Sequence, residues 1–146
     1  MITADLNGDG KADIIASEGN FISVYLATAA PIGPRVDYAA NTTPEGLVAG
    51  DFNGDGKADI ATIHSGVDQI SVLLGNGAGV LGAKVDYPAA RGTRIATADL
   101  DGDTKLDLVA TSSLNKEVSV LLGNGDGTFK AKVAYPTTNT TAGLTL

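Results

Sequence analysis

Asp51-Phe52-Asn53-Gly54-Asp55-Gly56-Lys57-Ala58-Asp59 decides the fold, because it occurs three times. Asp5-Leu6-Asn7-Gly8-Asp9-Gly10-Lys11-Ala12-Asp13 precedes it, and Asp99-Leu100-Asp101-Gly102-Asp103-Thr104-Lys105-Leu106-Asp107 follows, so the copies start 46 and then 48 residues apart. Two further blocks recur in step. Ile22-Ser23-Val24-Tyr25-Leu26 matches Ile70-Ser71-Val72-Leu73-Leu74 and Val118-Ser119-Val120-Leu121-Leu122. Val36-Asp37-Tyr38 matches Val85-Asp86-Tyr87 and Val133-Ala134-Tyr135.

Each repeat reads as four short strands. In the middle copy they are predicted at about Leu47–Phe52, Ala58–Ile63, Gln69–Leu74 and Ala83–Tyr87. The third alternates Ile70, Val72 and Leu74 with Ser71 and Leu73, and the second is almost continuously apolar, so both faces of the sheet call for cover. Gly75-Asn76-Gly77 and Gly123-Asn124-Gly125 close the third strand with residues that tolerate φ > 0. A four-stranded unit of this period is the blade of a β-propeller; it cannot bury its faces alone, but stacked copies can. A flat β-solenoid has shorter repeats. The expectation is all-β: three four-stranded antiparallel blades at about 1–44, 45–92 and 93–140, with 141–146 as the first strand of a further blade. Three blades do not make a complete ring.

Composition agrees. The chain has 146 residues, 43% of them hydrophobic, with 19 glycines, no cysteine and a net charge of −7. No disulfide or thiolate metal site is available. The net charge argues against nucleic acid as a partner, since no basic patch is available to neutralise phosphates. No apolar run approaches the ~20 residues of a membrane helix. A signal peptide is not visible, because Ile2 to Leu6 already reads as a strand.

Ten of the seventeen acids stand in the three loops. Ca²⁺ takes six to eight oxygen ligands, and the spacing D-x-[DN]-x-D-x-K-x-D supplies them from positions 1, 3, 5 and 9, with the position-7 carbonyl. The candidate ligands are Asp5, Asn7, Asp9, Lys11 and Asp13; Asp51, Asn53, Asp55, Lys57 and Asp59; and Asp99, Asp101, Asp103, Lys105 and Asp107, each lysine through its backbone carbonyl. Oxygen donors without His or Cys disfavour zinc and copper. The opening resembles an EF-hand loop, but the required Glu at position 12 is replaced by Ala16, Thr62 and Ala110, and the flanks alternate as strands. Polar turns alone would not need the acid at position 9. In the third loop Thr104 replaces the position-6 glycine, so a left-handed backbone there would be strained.

A-D-L-N-G-D-G-K-A-D-I, G-D-F-N-G-D-G-K-A-D-I and V-L-L-G-N-G-D-G-T-F resemble the FG-GAP/VCBS repeats of integrin-like β-propellers. The resemblance implies one Ca²⁺ between the first two strands of each blade. It also implies an extracellular or cell-surface adhesion or interaction module that binds a protein or glycan partner. Members usually close rings of seven blades, and some are attached to enzymes. This chain would then be the remainder of a longer propeller, an accessory piece of an enzyme, or a homo-oligomer, as a dimer or filament. Its final segment, Thr141 to Leu146, would add to an open edge of another copy.

No catalytic set is legible. His64, the single histidine, is expected in a surface loop, and Asp126 in a turn. Asn41-Thr42-Thr43 and Asn139-Thr140-Thr141 fit the N-glycosylation pattern, and Arg91 and Arg94 flank one blade junction as candidate contacts for an anionic partner.

Overall fold

A computed structural model describes residues 1–28 and 32–138. The described residues form twelve strands: β1 (Ile2–Ala4), β2 (Asp13–Glu18), β3 (Phe21–Tyr25), β4 (Val36–Ala39), β5 (Pro44–Gly50), β6 (Asp59–His64), β7 (Gln69–Leu73), β8 (Val85–Pro88), β9 (Arg94–Ala98), β10 (Asp107–Ser112), β11 (Glu117–Leu121) and β12 (Val133–Pro136). They make three four-stranded antiparallel sheets, each of consecutive strands in sequence order. The sheets stack as propeller-like blades without closing a ring. The expected further strand at 141–146 and the Asn139 tripeptide lie outside the described residues.

The expected first strands run too far. β1 ends at Ala4 and β5 at Gly50, short of Leu6 and Phe52. The amides of Leu6 and Phe52 are instead taken by Asp13 Oδ2 at 2.8 Å and Asp59 Oδ2 at 2.9 Å, which pulls the chain out of the ladder.

Register decides which residues meet. Ile60 faces Leu73 across β6 and β7, and Ala61 faces Val72, so the two pairs point to opposite sides of the sheet. Ile60 and Leu73 join Leu47 and Leu81 against Ile15, Ile22 and Val24 of the first blade. Ala61, Ile63, Ile70 and Val72 pack against Leu108, Ala110 and Leu121 of the third. The core is therefore two slabs, one at each blade junction, and the middle blade is covered on both faces. Among the first strands of the blades, β5 neighbours both β1 and β9.

Close approach selects glycine at two repeat-equivalent positions. A Cβ on Gly75 would lie 2.1 Å from the Ala58 carbonyl oxygen, and one on Gly123 would lie 2.3 Å from that of Leu106. Thr104 does adopt the left-handed backbone, with φ of 69°, beside 80° at Gly10 and 78° at Gly56.

His64 is not in a surface loop. It closes β6 and is fully buried, with Nε2 2.8 Å from Ser71 Oγ, which in turn donates to Asp86 Oδ1 at 2.5 Å. Sequence placed it just past a strand, whereas β6 continues one residue further because Pro44 pairs with it across the sheet. Among the described residues Nδ1 has no hydrogen-bond partner of good geometry, and the Thr42 backbone acts on the ring only as a weaker polar neighbour. Burial pushes the imidazole below its ordinary value, and Lys84 adds to this; Asp86 and the Thr42 backbone pull the other way. A depressed histidine contributes stability that is complete above the unfolded pKa, about 6.5, and is lost as pH falls below it. The wild-type melting temperature should therefore fall more than that of His64→Gln between about pH 7.5 and pH 5.5. Parallel melting curves across that window would remove the buried imidazole from the account.

Candidate functional site

Each acidic loop wraps around its first carboxylate. In the middle blade Asp51 Oδ1 accepts the Gly54 and Asp55 amides at 2.8 and 3.1 Å, and Oδ2 accepts the Gly56 amide at 2.7 Å. Asn53 Oδ1 accepts the Asp55 amide at 3.0 Å. Asp5 and Asp99 repeat the pattern. Thr104 supplies its amide to Asp99 Oδ2 at 2.9 Å, as Gly10 does to Asp5 at 2.8 Å. That shared bond explains why the third loop keeps the left-handed turn in spite of its Cβ; the carboxylate in the centre dictates the backbone path.

The position-9 aspartates have a second task that sequence did not disclose. Asp13, Asp59 and Asp107 are buried. One oxygen of each accepts the amide that leaves the first strand, from Leu6, Phe52 or Leu100. The other accepts an amide just past the third strand: Ala27 at 2.7 Å, Gly75 at 2.7 Å and Gly123 at 2.8 Å. Each thus staples the loop to the turn beyond the third strand. The recurring Gly75 and Gly123 were a partial clue, since in those two blades a Cβ would meet the Ala58 or Leu106 carbonyl, whereas the first blade makes the same bond from Ala27.

The position-5 aspartates lean toward their lysines. Lys11, Lys57 and Lys105 donate through Nζ to Asp9, Asp55 and Asp103 at 3.1, 3.2 and 2.9 Å. The Lys11 amide, then its ammonium, hold Asp9 below the usual carboxylate range. At Asp103 the Lys105 ammonium leads, and the same pair raises Lys105. At Asp55 desolvation pushes up, but the Lys57 amide and ammonium and Asn53 outweigh it. Asp59 behaves oppositely. Burial raises it, the Gly75 and Phe52 amides oppose this, and the negative charges of Asp55 and Asp51 add to the rise.

The donor chemistry fits a hard cation. Carboxylate oxygens of Asp99, Asp101 and Asp107 lie within 4.8 Å of one another. Oxygens sharing one Ca²⁺ at about 2.3–2.6 Å can stand no more than about 5.2 Å apart. Asp103, turned toward Lys105, is not in this trio. Asn7 and Asn53 replace the Asp101 carboxylate by an amide oxygen, so the first two loops carry one carboxylate fewer. The backbone bonds do not exhaust these groups, since an ionised carboxylate has about four lone-pair sites.

The remaining candidates are less open. Asp126 is a turn residue that accepts the Thr128 amide and hydroxyl. Arg91 is tied to Asp68 at 3.0 Å, whereas Arg94 is exposed on β9. Asn41 Nδ2 donates to Gln69 Oε1 at 2.7 Å.

Residues 5–62, 51–110 and 99–146 each match the sequence profile of the FG-GAP-like repeat. No curated protein matches the chain. Among solved structures, a lectin from Agrocybe aegerita is similar, with a TM-score of 0.67 and 24% identity over 91% of this chain. That structure is described as the basis of specific recognition of non-reducing terminal N-acetylglucosamine. At this identity the likeness shows the fold. The chain spans 37% of the lectin chain.

Staple and ligand roles separate by mutation. In the presence of a chelator, Asp59→Ala strands two amide donors and should cost roughly 2–6 kcal/mol, one to three for each. Asp55→Ala, which loses only exposed bonds to the Lys57 amide and ammonium, should cost the chelated protein less. Urea unfolding of both variants in EGTA checks this; equal losses would mean that Asp59 is no staple.

Proposed function

The chain belongs to the FG-GAP-like repeat family, and from that membership we propose that it is a calcium-stabilised, propeller-type interaction module working outside the cell on a protein or glycan partner. The observation that carries the calcium reading is the convergence of the Asp99, Asp101 and Asp107 oxygens within 4.8 Å. Asp51, Asn53 and Asp59 would serve the second loop, and Asp5, Asn7 and Asp13 the first. The position-5 aspartates and the position-7 carbonyls complete each set.

A bound divalent cation supplies charge neutralisation. The chain's own residues do the rest. The position-1 carboxylate curls the backbone, the position-9 carboxylate ties that curl to the sheet, and the lysine ammonium offsets part of the negative charge. An ion that binds only the folded loop adds its binding free energy to folding. Three such ions would bring the formal charge of −7 to about −1.

The glycan alternative draws support from the lectin's fold, and the extracellular setting from the character of the family. We assign no reaction to the chain. Its one imidazole is buried against Ser71 and Asp86, and the acids gather in loops that serve the backbone.

Titration with Ca²⁺ should raise the melting temperature and saturate near three ions per chain, with dissociation constants near 10⁻⁴–10⁻³ M, the range of extracellular modules. An identical melt in EGTA and in millimolar Ca²⁺ would refute the calcium reading. Lys105→Gln should melt lower in EGTA yet bind Ca²⁺ more tightly, because its ammonium competes for Asp103. Isothermal titration measures the second effect, and weaker binding would show that Lys105 helps the site. A glycan array probed in Ca²⁺ buffer tests the partner class, and a blank array would leave a protein ligand as the reading.

A further inference from the structure

The two blade junctions are built on the same repeat positions, which shows what a third would need. At the second junction Phe129 of the last blade enters a socket made by Phe52 and Tyr87 of the middle blade, with ring centroids 5.7 and 5.4 Å apart and edge-to-face geometry. The Gly127 amide donates to the Phe52 carbonyl at 2.9 Å. At the first junction the plug is Leu81 and the socket is Leu6 and Tyr38, in one apolar cluster. The Gly79 amide donates to the Leu6 carbonyl at 2.9 Å. Both plugs and the socket residues Leu6 and Phe52 are buried.

The same positions reappear in the first and third blades, on faces that meet no further blade among the described residues. The plug position of the first blade is Ile32, which is 52% exposed. The socket positions of the third blade are Leu100 and Tyr135, which are 43% and 54% exposed. Plug and socket face outward at opposite ends of the stack, so one copy presents what another copy needs.

The chemistry of the two ends matches the first junction in particular. There an aliphatic plug meets an aliphatic–tyrosine socket, and Ala58 and Ala4 both pack against the shared cluster. At the second junction the plug is aromatic, and a Cβ on Gly50 would come within 2.7 Å of Leu106, so a larger residue sits opposite a glycine. At the ends, Ile32 would meet Leu100 and Tyr135, and Ala12 would meet Ala98. Aliphatic against aliphatic and alanine against alanine reproduces the first junction's pairing.

We propose that the third blade of one copy receives the first blade of a second copy, with Ile32 seated between Leu100 and Tyr135 and the Leu100 carbonyl as the third equivalent backbone acceptor. The contact is heterologous, plug to socket rather than face to identical face. It closes into a ring if the rotation allows and propagates if it does not. Tyr25, which stands where Leu73 and Leu121 lie inside the other junctions, donates its hydroxyl to Glu18 at 3.2 Å and so keeps its polar tip at the rim.

The test is sedimentation equilibrium of the full chain at ~1 mM Ca²⁺ over ~1–100 µM protein, spanning micromolar affinity. The wild type should exceed the monomer mass. Ile32→Lys and Leu100→Lys should each weaken association by about tenfold or more, as expected of a central anchor. The control Val85→Lys should not, since Val85 is exposed inside the stack, as are its equivalents Val36 and Val133. Mixing the two variants should restore pairing, because the intact Ile32 of one meets the intact Leu100 of the other. A face-to-identical-face contact cannot do this. Ile32→Gln and Leu100→Gln repeat the measurement if either lysine variant changes the melting temperature. A monomeric wild type at ~100 µM overturns the proposal and assigns the two ends to some other cover, such as further blades. Association that both variants leave intact, or a mixture no better than its parts, overturns it equally.

Discussion

The two hydrogen bonds accepted by each position-9 aspartate are what the rest of the structure hangs on. Asp13, Asp59 and Asp107 each gather one amide from the end of the first strand and one from beyond the third. A carboxylate buried in this way is costly unless donors surround it. Once they do, the loop, the second strand and the following turn become one rigid corner. The position-1 aspartate then needs only to curl the remaining residues around itself. Thr104, held left-handed at φ 69°, shows how firmly that curl is imposed.

With these corners in place the apolar blades can stack. Register places Ile60 and Leu73 on one side of the middle sheet and Ala61 and Val72 on the other, so each blade offers two different faces. The forward face of one and the backward face of the next make a slab, and the corner loops carry the plug-and-socket contacts at its edge. The acidic loops and blade stacking are therefore linked. Residues 5–13 and 51–59 hold the acids and also place Leu6 and Phe52, the socket residues.

Much of this was legible from residue order. Three copies of a nine-residue loop at blade spacing define the repeat, and the oxygen-only donor set points to a hard cation. Alternation in Gln69–Leu73 and the apolar run of Asp59–His64 announce two-sided burial. Turn residues identify the hairpins, and Asp126 takes its expected place in one. All of these are local properties, fixed by period, propensity and side-chain chemistry within a few residues.

Only the tertiary structure decided the rest, because it depends on atoms distant in sequence. His64 looks like a residue beyond a strand until Ser71 and Asp86 close around it. The position-9 acids look like ligands alone until the amides of Ala27, Gly75 and Gly123 arrive from 14 to 16 residues away. Ile32 aligns with Leu81 and Phe129 in sequence, yet it is exposed where they are buried. The repeat says that the three positions are equivalent. Only stacking determines which have a neighbour, since burial belongs to the junction between two blades and not to either blade alone.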